Sequence, residues 1–489
     1  MEFEQQIPEF CPDAARLIRV DCRPFAEKAE YVGSGITVGG KAEFDVIYET
    51  DRKGKLRCCS FEREFTEEIP FDAGCENVAV SASAVCDRVN CKLIGPRRLA
   101  IKTTVSGDIE VECDRPYKAI AAVGDGNVFF RKAAIGYDGA SQTFEKTFEF
   151  NEQLPLTQTE RGIGEMIYAR AELAPPQVNI LPGRAEIRSN ASVKVFYEDE
   201  ASDEDYYLTA KDLPLDFLFE DPAIDERSNA RCLLEVVECS VIPELDQYGE
   251  SRILKVGLKV KATLKTSVPR AETVAADVFE RGADDEFVTV KALLPHLEST
   301  AERSFTLETE IPPAAPMFLS VIDRTVNCRT TGAERAEGGI ILKGVAAVTV
   351  TGRTENGIYC VTHRTPFEQF VQVDFGSTGD KFDVEIYPVD VSTVLRPDGS
   401  VSAKMIFAVK VRVYGETLAE FISEITSRRE INEPDSGSVM IFRYPKKGEN
   451  VWDIAKEYRR DPETISAANP KRFGDTGEID SSPEPILIK

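Results

Sequence analysis

Apolar and polar residues alternate along most of the chain up to about residue 430. The pattern is clearest in Ala42-Glu43-Phe44-Asp45-Val46-Ile47-Tyr48, Ala191-Ser192-Val193-Lys194-Val195-Phe196-Tyr197 and Ala346-Ala347-Val348-Thr349-Val350. A period of two puts one set of side chains on one face, so each segment predicts a strand with a single apolar face. The three begin 149 and 155 residues apart, and Pro8, Pro155 and Pro312 precede them by 34, 36 and 34 residues. A turn follows each: Asp51-Arg52-Lys53-Gly54, the acidic run Glu198 to Asp205, and Asn356-Gly357, a pair that tolerates the positive φ of a tight hairpin. Each repeat closes with a second hairpin, around Gly95-Pro96, Gly249 and Pro397-Asp398-Gly399. Short β-branched strands between turn residues predict sandwiches or barrels. Repeats of this length can each hold a core of their own. The expected architecture is mainly β, with three tandem domains at 1–149, 150–307 and 308–430 and a polar linker at 431–439.

Residues 440–489 read differently. Met440 to Tyr444 predicts a short strand. Asn450 caps a helix that carries Val451, Ile454, Ala455 and Tyr458 on one face, with Asp453 at its third position. Asp461-Pro462 starts a second helix with Ile465 and Ala468 inward, Asn469-Pro470 ends it, and Ile486-Leu487-Ile488 returns as a strand. The module is thus a small α+β unit of order strand, helix, helix, strand.

Composition narrows the functional classes. The 489 residues carry a formal charge of −25, which repels phosphate backbones and excludes nucleic acid as a partner of the whole molecule. Residues 440–489 hold nine basic and nine acidic side chains, so the excess acid lies upstream. The start Met1-Glu2-Phe3-Glu4 lacks the basic residues of a signal peptide, and no apolar run approaches the length of a membrane span; the expectation is a cytosolic protein. Eight of the twelve cysteines fall in the first repeat, none in a Cys-x-x-Cys pair. Reduced, partly buried thiols are expected, and cross-linking in an oxidised assembly is the alternative.

Several motifs dissolve on inspection. Gly35-Ile36-Thr37-Val38-Gly39-Gly40-Lys41 fits the spacing of a phosphate loop, but Ala42 stands where Ser or Thr must reach magnesium, and a strand follows in place of a helix. The run Glu198 to Asp205 lacks the glycine and spaced ligands of a calcium loop and reads as a solvated turn. His296 and His363 have no Ser or Cys partner in a catalytic pattern. No cofactor, metal or catalytic residue is expected. Trp452, the only tryptophan, flanks the apolar stripe of its helix. It reads equally as half-buried packing or as an aromatic anchor for a partner.

The run from Tyr444 through Gly448-Glu449-Asn450-Val451-Trp452-Asp453-Ile454-Ala455-Lys456-Glu457-Tyr458, with Thr464-Ile465-x-Ala467-Ala468-Asn469-Pro470, resembles a LysM domain. The Pro-Gly turn usual before the last strand is replaced by Ser481-Ser482-Pro483-Glu484-Pro485. With that anchor, the rhythm of Leu/Ile-Pro, apolar strand, Val-x-Val-x-Tyr and acidic turn resembles the SPOCS domain of endospore formers, and the whole order is similar to SipL-type spore coat morphogenetic proteins. The resemblance implies a non-enzymatic scaffold in the mother-cell cytoplasm, at the forespore surface. Its LysM module would dock on a coat basal-layer protein such as the SpoIVA-type ATPase, and its β repeats would supply self-association or coat contacts. It also implies the binding residues: Gly448, Glu449, Asn450, Val451 and Trp452 on one loop, Asn469 and Pro470 on the other. The competing expectation is a peptidoglycan-binding module that takes N-acetylglucosamine polymers in the groove between those loops.

Overall fold

In a computed structural model of the chain, the alternating segments form strands whose burial alternates residue by residue. Gly35–Thr50, Arg184–Asp199 and Gly339–Thr354 turn their apolar residues inward and their polar ones outward. The structure describes all residues except 52–54, 73, 76, 122–126, 315, 377–380, 431–439, 447–448, 471, 475–476, 480–483 and 489. The linker expected at 431–439 therefore lies outside the described residues. The chain is mainly β, and its helices among the described residues are two short ones near the end. Gly35 to Lys41 is the opening of a strand, which disposes of the phosphate-loop spacing.

Two compact units are present, and they do not follow chain order. One comprises Met1–Arg115, Ala140–Val268 and Leu297–Tyr414; the other comprises Pro116–Gly139, Pro269–His296 and Gly415–Lys489. The second is thus assembled from the segments that follow each repeat, together with the terminal module.

In the first unit the three repeats share one plan. A sheet of three antiparallel strands (Ala14–Val32, Gly35–Thr50, Leu56–Pro70) faces a second sheet containing Val85–Gly95 and Arg98–Ser106. Their inward faces share one core, in which Phe44, Val46 and Tyr48 meet Leu99 and Ile101. Repeats two and three reproduce the arrangement around Val193 and Leu258, and around Val348 and Phe407. Cys75 and Cys113 are disulfide-bonded, so the expectation of reduced thiols fails for these two.

The first strand of each repeat's bulged sheet carries the same irregularity. Pairing skips Ile18 between Leu17 and Arg19, Ile167 between Met166 and Tyr168, and Ile322 between Val321 and Asp323. A bulge leaves one residue unpaired and re-aims its neighbours. Here it throws the three isoleucines into one apolar cluster with Ile47, Phe196 and Tyr206, drawn from all three repeats.

The residues after the bulges meet at Asp323, which is 1% exposed. Its carboxylate accepts from Arg19 Nη1 at 2.8 Å, Tyr168 Oη at 2.7 Å and Arg170 Nη2 at 3.2 Å. Both guanidiniums also lie over the Tyr168 ring, at 5.8 and 5.7 Å from its centroid. Burial acts to raise the Asp323 carboxyl, but the two arginines and the tyrosine overcome it and hold the group below the usual carboxylate range. Arg19 also donates to Asp21, and Arg170 pairs with Glu172, which Lys194 also reaches, so three cations meet three anions. Around it, Lys55–Glu198 at 2.9 Å, Arg353–Asp205 at 2.6 Å, and Arg16 donating to the Ile358 carbonyl at 3.2 Å join each repeat to the other two.

Arg19→Ala removes one partner and leaves a buried carboxylate under-compensated. Such losses cost about 3–5 kcal/mol. Urea unfolding should show a loss of that size, whereas Arg23→Ala, which breaks a partly exposed pair with Asp45 at 2.7 Å, should cost about 1 kcal/mol or less. Equal effects would contradict the assignment.

Candidate functional site

The binding residues expected from sequence lie in the C-terminal module. Ile441–Arg443 pairs antiparallel with Ile486–Ile488. Between these strands come helix α1 (Val451–Tyr458) and helix α2 (Pro462–Ala468). Asn450 caps α1, its side chain accepting from Trp452 N at 2.9 Å, and Asp461 caps α2 by accepting from Glu463 N at 2.9 Å. Ile454, Ala455, Ile465, Ile486 and Ile488 form the module's core.

The expected groove residues are largely engaged. Glu449 accepts from Arg443 at 3.0 Å and from Lys446 N at 2.8 Å. Val451 N donates to the Gly477 carbonyl at 2.8 Å, and Ile479 N donates to the Glu449 carbonyl at 3.0 Å. Gly477 and Ile479 thus lie against the first loop and take up the Val451 N–H and the Glu449 carbonyl. Asn469 is a clasp: its amide donates to the Ile465 and Leu487 carbonyls and its oxygen accepts from Leu487 N, tying α2 to the last strand. Pro470 is exposed. Gly448 lies outside the described residues, as does most of the altered last turn.

Trp452 decides between its two readings. It is 7% exposed, and what covers it is its own chain. Its ring meets Phe279 edge-on at 5.1 Å, and Phe279 in turn stacks on Phe129. Its indole N–H donates to Asp277 Oδ2 at 2.8 Å, while Lys456 Nζ reaches Asp277 Oδ1 at 2.6 Å. Arg459 pairs with Asp284 at 2.6 Å. Trp452, Lys456 and Arg459 recur at spacings of four and three, so they line one stripe of α1 beside the module's core face. The surface they meet is the sheet in which Val128–Asp138 pairs with Pro269–Glu280. That pairing skips Ala276, and Asp277 is the residue just after the bulge. The packing reading of Trp452 is the one that these contacts describe. Asp277 and Phe279 carried no sequence signal beyond the broken alternation at Ala275-Ala276-Asp277.

Electrostatics support the same contact. Burial acts to raise the Asp277 carboxyl, but the hydrogen bonds from Lys456 and Trp452 prevail and hold it below the ordinary carboxylate value. Among the described residues no cluster of His, Cys, Asp or Glu could hold a metal ion. The acidic turn is accounted for in part: Glu198 and Asp205 are paired with Lys55 and Arg353. His363 lies within the strand Gly357–Gln372, and His296 contacts Thr417 at 3.4 Å.

The family model of the SipL SPOCS domain matches residues 13–94. This segment, about a sixth of the chain, is similar to a SPOCS domain. The match begins just before the first bulged strand and ends within Val85–Gly95, so it spans the sheet that carries Arg19 and the strand that faces it. No curated protein and no solved structure matches the chain. No helix among the described residues is long and apolar enough to cross a membrane.

The sole tryptophan reports on the contact directly. A carboxyl held low in the folded state stabilises it above the unfolded value, about 3.9, and that contribution is lost as pH falls through the folded value. Trp452 emission should be blue at neutral pH and shift red below about pH 4. Asp277→Asn should remove the low-pH step. Emission that stays blue through the acid range, or is red at neutral pH, contradicts a buried Trp452–Asp277 contact.

Proposed function

We propose that this SPOCS protein is a non-enzymatic scaffold of the endospore coat, whose C-terminal module is LysM-like and docks a basal-layer coat protein of the SpoIVA-type ATPase kind. The reading rests on the SPOCS match, the strand-helix-helix-strand order of the module and its resemblance to LysM. One observation carries the choice of a protein over a glycan: the module's polar loop groups are spent on the chain itself, while its outer strand presents an apolar face. Met440, Phe442 and Tyr444 are 67%, 62% and 72% exposed, and Phe442 lies opposite Leu487 across the sheet. A sugar polymer needs free donors and acceptors in its groove, and Glu449, Asn450, Val451 and Asn469 are already committed. A protein partner needs aromatic anchors, which that strand supplies.

The acidic, repeat-built body suits a scaffold in another respect. Its most deeply buried carboxylate, Asp323, is paired with arginines that hold the repeats together. The mother-cell side of the forespore surface is the location that the family resemblance implies.

The test uses the full chain. Phe442→Ala with Tyr444→Ala should weaken binding to the purified basal-layer ATPase at least tenfold, about 1.4 kcal/mol or more, with an unchanged melt. Wild-type affinity in that variant would reject the docking face. Capture of the wild-type chain on cortex peptidoglycan, with no binding to the ATPase, would favour the glycan reading instead.

A further inference from the structure

The cysteines of the first repeat are not equivalent. Cys22 sits on the bulged strand Ala14–Val32 and Cys86 on Val85–Gly95, in the sheet that faces it. The two sulfurs converge on one buried hydroxyl: Thr103 Oγ1 lies 3.7 Å from Cys22 Sγ and 3.6 Å from Cys86 Sγ. Both residues are half-buried, and both lie within the matched SPOCS segment.

We propose that Cys22 and Cys86 are a redox-responsive pair that closes a second disulfide across the two sheets of the SPOCS domain. The electrostatics assign the roles. The Cys22 contact, helped by Thr103 and the backbone at Arg88, lowers the Cys86 thiol below the ordinary thiol value and favours its thiolate. The same contact and burial raise Cys22. Burial pushes Cys59 up to about 12 and Cys91 up to about 11, so these neighbours stay protonated and unreactive. Cys86 is therefore the attacking sulfur and Cys22 the resolving one.

With a small-molecule disulfide such as oxidised glutathione as oxidant, the Cys86 thiolate attacks one sulfur, forms a mixed disulfide and releases one glutathione thiolate. Cys22 gives its proton to that thiolate, and its sulfur displaces the second glutathione from Cys86. The protein loses two electrons and the Cys22 proton, and one oxidised glutathione becomes one thiol and one thiolate, which takes its proton from water. The position couples the bond to the assembly of repeats. Asp87, the residue skipped by the bulge after Cys86, pairs with Arg329, and its carbonyl accepts from Arg364 of the third repeat.

The full-length folded chain is treated with oxidised glutathione at neutral pH, alkylated without reduction, digested and mapped. The expected product is a peptide pair joined through Cys22 and Cys86, with two fewer free thiols, reversed by dithiothreitol. Cys22→Ser should accumulate glutathione on Cys86, and Cys86→Ser should react about tenfold more slowly at Cys22. Circular dichroism of each variant confirms that it is folded. Absence of the linked pair in the folded wild type, or labelling of Cys86 no faster than of Cys59, overturns the proposal.

Discussion

One buried carboxylate sets the terms for the larger unit. Asp323 lies where three repeats meet, and it is acceptable there only because Arg19 from the first repeat and Tyr168 and Arg170 from the second converge on it. An isolated carboxylate in that position would cost several kcal/mol, so any arrangement that parts the repeats must also open the cluster to water. Each repeat has its own sandwich core, yet none holds the whole charge set. The isoleucine ejected by each bulge adds an apolar seal around the ions, drawn again from all three repeats.

The smaller unit uses the same device. Asp277 follows a bulge, as Asp323 does, and accepts from groups far away in the chain, Trp452 and Lys456. In both places a local break in pairing turns one carboxylate toward distant donors. The terminal module is consequently held by the face of α1, and Phe442 and Tyr444 are left exposed. The indole N–H of Trp452 and the amide of Asn469 are both engaged within the chain.

Much of this was legible in the residues. Period-two alternation located the three long central strands, because each buries one face only. Asn450, Asp461-Pro462 and Ile465 located both short helices, because caps and apolar spacing act locally. The bulges were visible in principle: Leu17-Ile18, Met166-Ile167 and Val321-Ile322 each place two apolar residues together and then a polar one, at 11, 13 and 11 residues beyond Pro8, Pro155 and Pro312. What no local pattern could show is which polar residues would meet. Asp323 differs from its counterparts Arg19 and Tyr168 because the three are partners and not copies, so a search for repeated residues passes over them. The second unit is assembled from three segments far apart in the chain, and nothing within any one of them marks the others. Trp452 was ambiguous for the same reason, since its neighbour Phe279 lies 173 residues earlier.

The three repeats are joined by buried charge pairs drawn from each of them. The central claim is that the three repeats stand or fall together around Asp323. Native-state hydrogen exchange in low denaturant tests it most directly. Amides of the central strands Gly35–Thr50, Arg184–Asp199 and Gly339–Thr354 should exchange with one common free energy and one common denaturant slope. Three separate free energies, one for each repeat, would contradict the account.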